Sequence, residues 1–479
     1  MIVNSNMSSF GRHVLKMASG TVLAQAIPIL GSLILTRLFT PEQFGTAAVF
    51  VGFCTVASVL TSGRYELAIV LPRKHSDALA VLVGSIGLSV ITCTLGFLVI
   101  LFFPFVFEKI FQNAEPRSWL YLAPAMIFLA NFYQVLTYWA NRRRQYGKIA
   151  ANLITQQGGT VAGSVGLGFL NVRTGLIQGR LLGQLLPAIV MGIQFWRPLR
   201  HAFRTASLRR IRECFVRYRQ FPLFNVPYSL SGSIARESTV FALTSFNFTN
   251  AAGCFSLARM FTFVPAGFLS GALGQVFYKE AAQHIGTPRV EQLTLKLMTS
   301  IAAIATPAFV FLMVWAPVVF SLLFGDKWHE AGIYASAYAP VGFLFLFTSW
   351  PERIYEVTSK QHISFSIQLI ADALSILTLV FLLWVGVSPL LSIVAFAALS
   401  CGYQAVYLTM LFRAGGFQTA NLLKLGKMIL LLSTAFGVIC FLCKTILPSL
   451  VLQIAGALSI IMCYYVILLR RYLRDRAAP

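Results

Sequence analysis

The chain has 479 residues, 57% of them hydrophobic and only 11% charged, whereas an ordinary soluble protein is about 25% charged; this excludes a water-soluble enzyme. Its net charge of +23 would suggest nucleic acid as partner in a soluble protein. Here the basic residues alternate with apolar runs, which points away from nucleic acid and toward the loops of a polytopic membrane protein.

Arg12 and Lys16 precede a first apolar run that is too long for a signal-peptide core and reads as a transmembrane helix. Further runs of spanning length follow. The set is 17–38, 45–62, 79–103, 118–139, 149–170, 174–195, 222–245, 250–272, 293–316, 331–350, 362–384, 387–411, 425–443 and 448–469. Fourteen spans place both termini on one side, assigned to the cytoplasm. Of the 38 basic residues, only Arg37, Lys109, Arg117, Arg173, Lys327 and Lys444 then fall in outer segments, as the positive-inside bias requires. Arg180, Arg236 and Arg259 lie within spans.

The longest inner connection, 197–220, is rich in arginine and carries Leu208, Ile211, Cys214 and Phe215 at helical spacing. Two compatible readings stand: an amphipathic helix on anionic lipid headgroups, or a charged linker that only fixes topology. Sequence on its two sides is weakly similar. Leu35-Thr36 with Gly45 resembles Leu243-Thr244 with Gly253, and 141–150 resembles 358–367. Because six spans separate the copies, the repeat is parallel. The expected fold is an all-α membrane protein of about 14 transmembrane helices. Two pseudo-symmetric six-helix bundles, 1–196 and 221–412, surround a central cavity, and 413–479 adds two helices with a basic tail.

Four motifs resemble the Wzx-like polysaccharide flippases of the multidrug, oligosaccharidyl-lipid and polysaccharide exporter superfamily. They are L-T-R-L-F-T-P-E-Q-F-G at 35–45, G-R-Y-E-L-A-I-V-L-P at 63–72, W-A-N-R-R-R at 139–144 and G-Q-V-F-Y-K-E-A-A at 274–282. The resemblance implies a bacterial inner-membrane protein that moves undecaprenyl-pyrophosphate-linked oligosaccharide between leaflets by alternating access. It implies no enzymatic activity and no cofactor. Relatives carry L-A-x-R-I-x-x-x-P in the eighth span, whereas 257–265 reads L-A-R-M-F-T-F-V-P. Arg259 thus stands one residue early, about 100° around a helix.

Such a protein needs fixed positive charge for the pyrophosphate and polar surface for sugars. Charges inside spans are costly enough to be default candidates. For the substrate these are Arg180, Arg236 and Arg259, with Arg37 and Arg64 at the two mouths; Glu237 and Asp372 are candidates for a coupling proton or sodium ion. Static pairing between helices is the competing reading for Arg236 and Arg259, snorkelling for Arg180, and a local pair with Glu66 for Arg64. Gln25, Asn131, Gln134, Asn152, Gln156, Gln157 and Asn225 either line a sugar route or join helices. Gly158, Gly159, Gly163 and Gly166 read as a packing stripe, and Trp139, Trp196, Trp315 and Trp350 as interface anchors. Cys440 and Cys443 form a lone C-x-x-C without histidine, so no metal is expected. A drug or organic-cation antiporter of the same superfamily is the alternative transporter. A membrane enzyme of polysaccharide assembly is opposed by scattered histidines and short outer loops.

Overall fold

The computed structural model describes residues 9–103 and 117–477; Lys109 lies outside them. The first half begins with α1 (Ser9–Leu38), α2 (Pro41–Thr61), α3 (His75–Phe102), α4 (Ala123–Arg142), α5 (Tyr146–Phe169) and α6 (Gly175–Gln194). Two short helices follow, α7 (Trp196–Thr205) and α8 (Leu208–Arg217), and then α9 (Val226–Ser245) and α10 (Thr249–His284). The rest comprises α11 (Pro288–Phe324), α12 (His329–Thr348), α13 (Arg353–Val357), α14 (Gln361–Trp384), α15 (Pro389–Gly415), α16 (Ala420–Ile446) and α17 (Leu450–Ala477). Among the described residues all regular structure is helical.

Each predicted span coincides with one helix of 20 residues or more. Eleven of these are apolar enough to cross a bilayer on length and composition alone. Two more, α5 and α9, fall short of that apolarity because they carry Asn152, Gln156 and Gln157, and Arg236 with Glu237, respectively; α10 carries Arg259. Large apolar side chains stand exposed along most long helices, among them Leu170, Trp384 and Leu431. Water would not tolerate so much bare hydrocarbon, and lipid does.

The chain resolves into two compact units, Met1–Ser256 and Leu257–Pro479. The first is centred on Leu79, Val135, Leu136, Trp139, Met191 and Phe195. In the second, Phe277, Met298, Phe347, Trp350 and Phe412 form the core. The last two helices join α11 through Val310, Trp315, Phe436, Cys440 and Ala457, so the C-x-x-C thiols serve as packing groups. Trp139, Trp315 and Trp350 are therefore not interface anchors: each is 1% exposed. A tryptophan near a helix end can fill a core as well as reach headgroups, and here neighbouring aromatics claim it, as when Phe277 meets the Trp350 ring edge-on at 4.7 Å. Only Trp196 of the four is exposed.

Backbone turns carry the internal repeat. Between α4 and α5, Arg144 has φ 54°, its N–H reaches Asn141 O at 2.9 Å, and the Gln145 N–H reaches Ala140 O at 2.9 Å. Ser359, with φ 57°, makes the same pair of bonds before α14: its N–H to Glu356 O at 3.2 Å, and Lys360 N–H to Tyr355 O at 2.8 Å. Asn171 and Gly386 repeat the pattern at the next turn of each half, at the same separation along the chain. These are helix-closing bonds around a left-handed residue. They set Arg144 against Ser359, two residues from the match that sequence similarity suggested.

Two close helix crossings follow from small residues. Gly159 and Gly163 of α5 meet Gly179 and Gly183 of α6, the small-x-x-x-small arrangement that brings membrane helices together, while Gly158 and Gly166 of the expected stripe touch nothing. The repeat-related Gly45 and Gly253 face each other across α2 and the start of α10. A Cβ on Gly45 would collide with the Thr249 carbonyl oxygen, and one on Gly253 with that of Pro41. Gly45→Ala and Gly253→Ala are expected to destabilise the protein by about 1–3 kcal/mol each, read as a lower thermal midpoint in detergent. Gly158→Ala, facing open space, leaves the midpoint unchanged or raises it.

Candidate functional site

The sequence motifs build specific local structure. In 35–45, Thr40 caps α2: its hydroxyl accepts the Gln43 N–H at 3.3 Å, and the Gln43 side chain accepts the Thr40 N–H at 2.8 Å. Pro41 supplies the first helical residue. At the other end of α2 the stretch 63–72 turns through Gly63 and Arg64, both left-handed, into a 3-10 helix over Tyr65–Val70. Glu66 is 1% exposed. It accepts the Ser62 hydroxyl and pairs with Arg64 at 3.5 Å. Arg142, in the motif 139–144, donates from Nη1 to the carbonyls of Ile69 at 3.3 Å and Val70 at 3.1 Å. Two motifs far apart in sequence thus interlock.

The basic linker docks on the same end. The Arg210 Nε and Arg217 Nη1 atoms contact the two Asp77 carboxylate oxygens at 3.1 and 3.2 Å, and this hydrogen bond raises the Arg217 guanidinium above its ordinary value. Phe215 stacks on Tyr65 with ring centres 3.9 Å apart, and the Tyr65 hydroxyl donates to the Phe215 carbonyl at 3.1 Å. Burial pushes the Tyr65 phenol and the Cys214 thiol upward, so both stay protonated near neutrality. Ile211 and Phe215 close over Gly84 of α3. The helical spacing read from the sequence is present, but Ile211, Cys214 and Phe215 face protein rather than lipid, and Leu208 is exposed. Asp77 escaped the sequence reading because an acid in a first helical turn already complements the helix dipole.

The in-span candidates divide between the units. In the first, Arg37 is exposed at the end of α1. Arg180 lies within electrostatic reach of Cys54 on α2, and its buried Nε has no hydrogen-bond partner among the described residues. Arg236 is exposed, whereas Glu237 is buried against Gly52 of α2. Asn131 donates to the Ser58 carbonyl at 3.2 Å, Asn152 to Gln194 at 3.3 Å and Gln156 to Gln184 at 2.8 Å, so these three amides join helices.

In the second unit, Arg259 and Asp372 both stand within electrostatic reach of Tyr338 on α12. Asp372 is hydrogen-bonded by Gln368, and Tyr403 is within its reach. Beyond them the Ser364 and Tyr407 hydroxyls meet at 2.8 Å, the Tyr355 hydroxyl donates to the Tyr407 carbonyl at 3.2 Å, and Thr348 donates to Gln404. Charge, phenols and amides thus form one seam across α10, α12, α14 and α15. The tyrosines were not singled out from sequence, since at helical spacing they look like ordinary core.

A family model described as polysaccharide biosynthesis protein matches residues 34–332. The chain belongs to this family. No curated protein sequence matches it significantly. Among solved structures, the lipid II flippase MurJ in an inward closed conformation has the same fold, with a TM-score of 0.73 and 12% identity over 95% of this chain and 99% of that one. An inward-facing multidrug resistance MATE transporter of the MOP superfamily gives a TM-score of 0.60 and 17% identity, over 84% and 95% of the two chains. A MOP superfamily transporter from Pyrococcus furiosus gives 0.54 and 14%, over 87% and 96%. As a member of the polysaccharide biosynthesis family, the chain is a multi-pass membrane protein of the MurJ and MATE fold.

Glu66→Gln would leave Arg64 without its carboxylate at a buried turn, and is expected to cost about 2 kcal/mol of stability. Thermal unfolding in detergent measures it.

Proposed function

We propose that this protein is a flippase for undecaprenyl-pyrophosphate-linked oligosaccharide. It carries the sugar-bearing head from the cytoplasmic to the periplasmic leaflet of the bacterial inner membrane by alternating access, and serves a surface polysaccharide such as O-antigen or capsule. The observation that carries this reading is membership of a polysaccharide biosynthesis family on the fold of a lipid II flippase, extending over 95% of the chain. In the proposal, both termini are cytoplasmic and two six-helix bundles, 1–196 and 221–412, enclose the route.

The residues support a phosphate-bearing cargo. Arginine is the side chain suited to pyrophosphate, because its planar fork makes paired charge-assisted hydrogen bonds. Arg180, Arg236 and Arg259 supply three such groups within the spans, Arg37 and Arg64 two more at span ends. The tyrosine-rich seam around Tyr338 and Tyr403 offers hydroxyls and ring faces, the usual partners of sugar. Glu237 and Asp372 are the positions at which a coupling proton or sodium ion would bind. Anionic lipids at the exposed arginines of α7 and α8, and polymerase and assembly proteins downstream, complete the proposed partners.

The MATE likeness favours one second reading, export of an organic cation, in which Glu237 and Asp372 would bind the cargo itself. Transfer of a fluorescent pyrophosphoryl-lipid between the leaflets of reconstituted vesicles separates the two. Arg236→Gln and Arg259→Gln are each expected to slow transfer about tenfold and together to abolish it. Full transfer by a correctly folded double variant, or cation export that depends on Glu237 and Asp372 with no lipid transfer, overturns the flippase reading.

A further inference from the structure

The motif W-A-N-R-R-R served above to place Trp139 in the core and to interlock with 63–72 through Arg142. Its last two arginines remain without a role. They line a pocket of about 460 Å³ with Val70, His75, Asn141, Arg142 and Tyr146, a size in the range of small-ligand sites, about 300–1,000 Å³. None of the lining residues is acidic, and among the described residues neither Arg143 nor Arg144 forms an ion pair. The charges acting on His75 are Arg143, Arg142 and His201, with no carboxylate among them. Like charges gathered around a concave space raise its potential and favour a counter-ion.

Two further features point the same way. His75 is the first residue of α3 and Tyr146 the first of α5, and neither helix start is capped by a side chain. The α5 start therefore borders the pocket with its positive end uncompensated, whereas Asp77 stands in the first turn of α3. Arg144 also occupies a left-handed position, φ 54°, where glycine is the unstrained choice. The equivalent turn before α14 makes the same backbone bonds with Val357, Thr358 and Ser359. Ser359 holds the same left-handed position there, so the turn itself needs no arginine.

We infer that this pocket is a binding site for a phosphate or pyrophosphate group, separate from the in-span arginines. Arg143 and Arg144 supply the mobile guanidinium groups. Arg142, fixed by the Ile69 and Val70 carbonyls, and His75, set against the Trp139 ring at 5.6 Å, form the rigid wall. The helix count places the pocket on the membrane face shared with the N-terminus, where a lipid headgroup and a free phosphate both have access.

The test uses the full chain in zwitterionic lipid nanodiscs, titrated calorimetrically with inorganic pyrophosphate. A second arm measures by native mass spectrometry the retention of phosphatidic acid doped into the discs. Arg144→Gly relieves the backbone and is expected to keep or raise the thermal midpoint while weakening binding; with Arg143→Gln the loss reaches about tenfold or more. Lys424→Gln, removing one exposed charge from α16, behaves as the parent. Loss in the pyrophosphate arm assigns a site open to free phosphate, and loss confined to the lipid arm assigns a headgroup site. Equal binding by parent and double variant in both arms, or equal weakening by Lys424→Gln, overturns the inference. Leaflet transfer mediated by Arg236 and Arg259 is a separate readout, so failure here leaves the flippase reading to its own test.

Discussion

Hydrocarbon solvates neither a charge nor an unpaired backbone group, and this constraint shapes the molecule more than any single contact. Every span must close its own hydrogen bonds, which makes the described fold helical throughout. Any polar side chain along a span must find a protein partner or a wet space. Asn131, Asn152 and Gln156 take the first course, reaching across to neighbouring helices. Arg180 takes neither in full, because its Nε is buried without an acceptor among the described residues. The helices α5 and α9 are long enough to cross yet are interrupted by polar and charged residues, Asn152, Gln156 and Gln157 in the one and Arg236 with Glu237 in the other.

Packing within each unit follows from the same constraint. Membrane helices gain no hydrophobic advantage from touching one another, so contact must come from shape and hydrogen bonds. Glycine pairs provide shape in α5 with α6 and in α2 with the start of α10. Tyrosine and tryptophan fill volume in the cores of the units. The large aromatics Trp139, Trp315 and Trp350 therefore sit inside rather than at the lipid boundary.

Much of this was legible in the sequence. Span positions emerged because a run of about 20 apolar residues has few other uses. The repeat was visible at Gly45 and Gly253, which prove to touch, whereas the match of 141–150 with 358–367 was off by two, since side chains drift while backbone bonds at Arg144 and Ser359 keep register. In the candidate site, the charged residues stood out because charge inside a span is rare. Tyr338, Tyr403 and Asp77 did not, because their significance lies in what surrounds them. Ile211, Cys214 and Phe215 were read as an apolar face, but periodicity cannot tell whether such a face meets lipid or protein.

Anchoring of α8 carries one consequence of its own. The linker is held to α3 by two guanidinium groups on a single carboxylate, and the Arg210 and Arg217 side chains remain 43% and 59% exposed. Such contacts are felt over a screening distance that shrinks from about 10 Å at 0.1 M salt to about 3 Å at 1 M. The ionic part of the hold on the strap between α6 and α9 therefore weakens as salt rises, while the packing of Ile211 and Phe215 over Gly84 and the Tyr65–Phe215 stack persist.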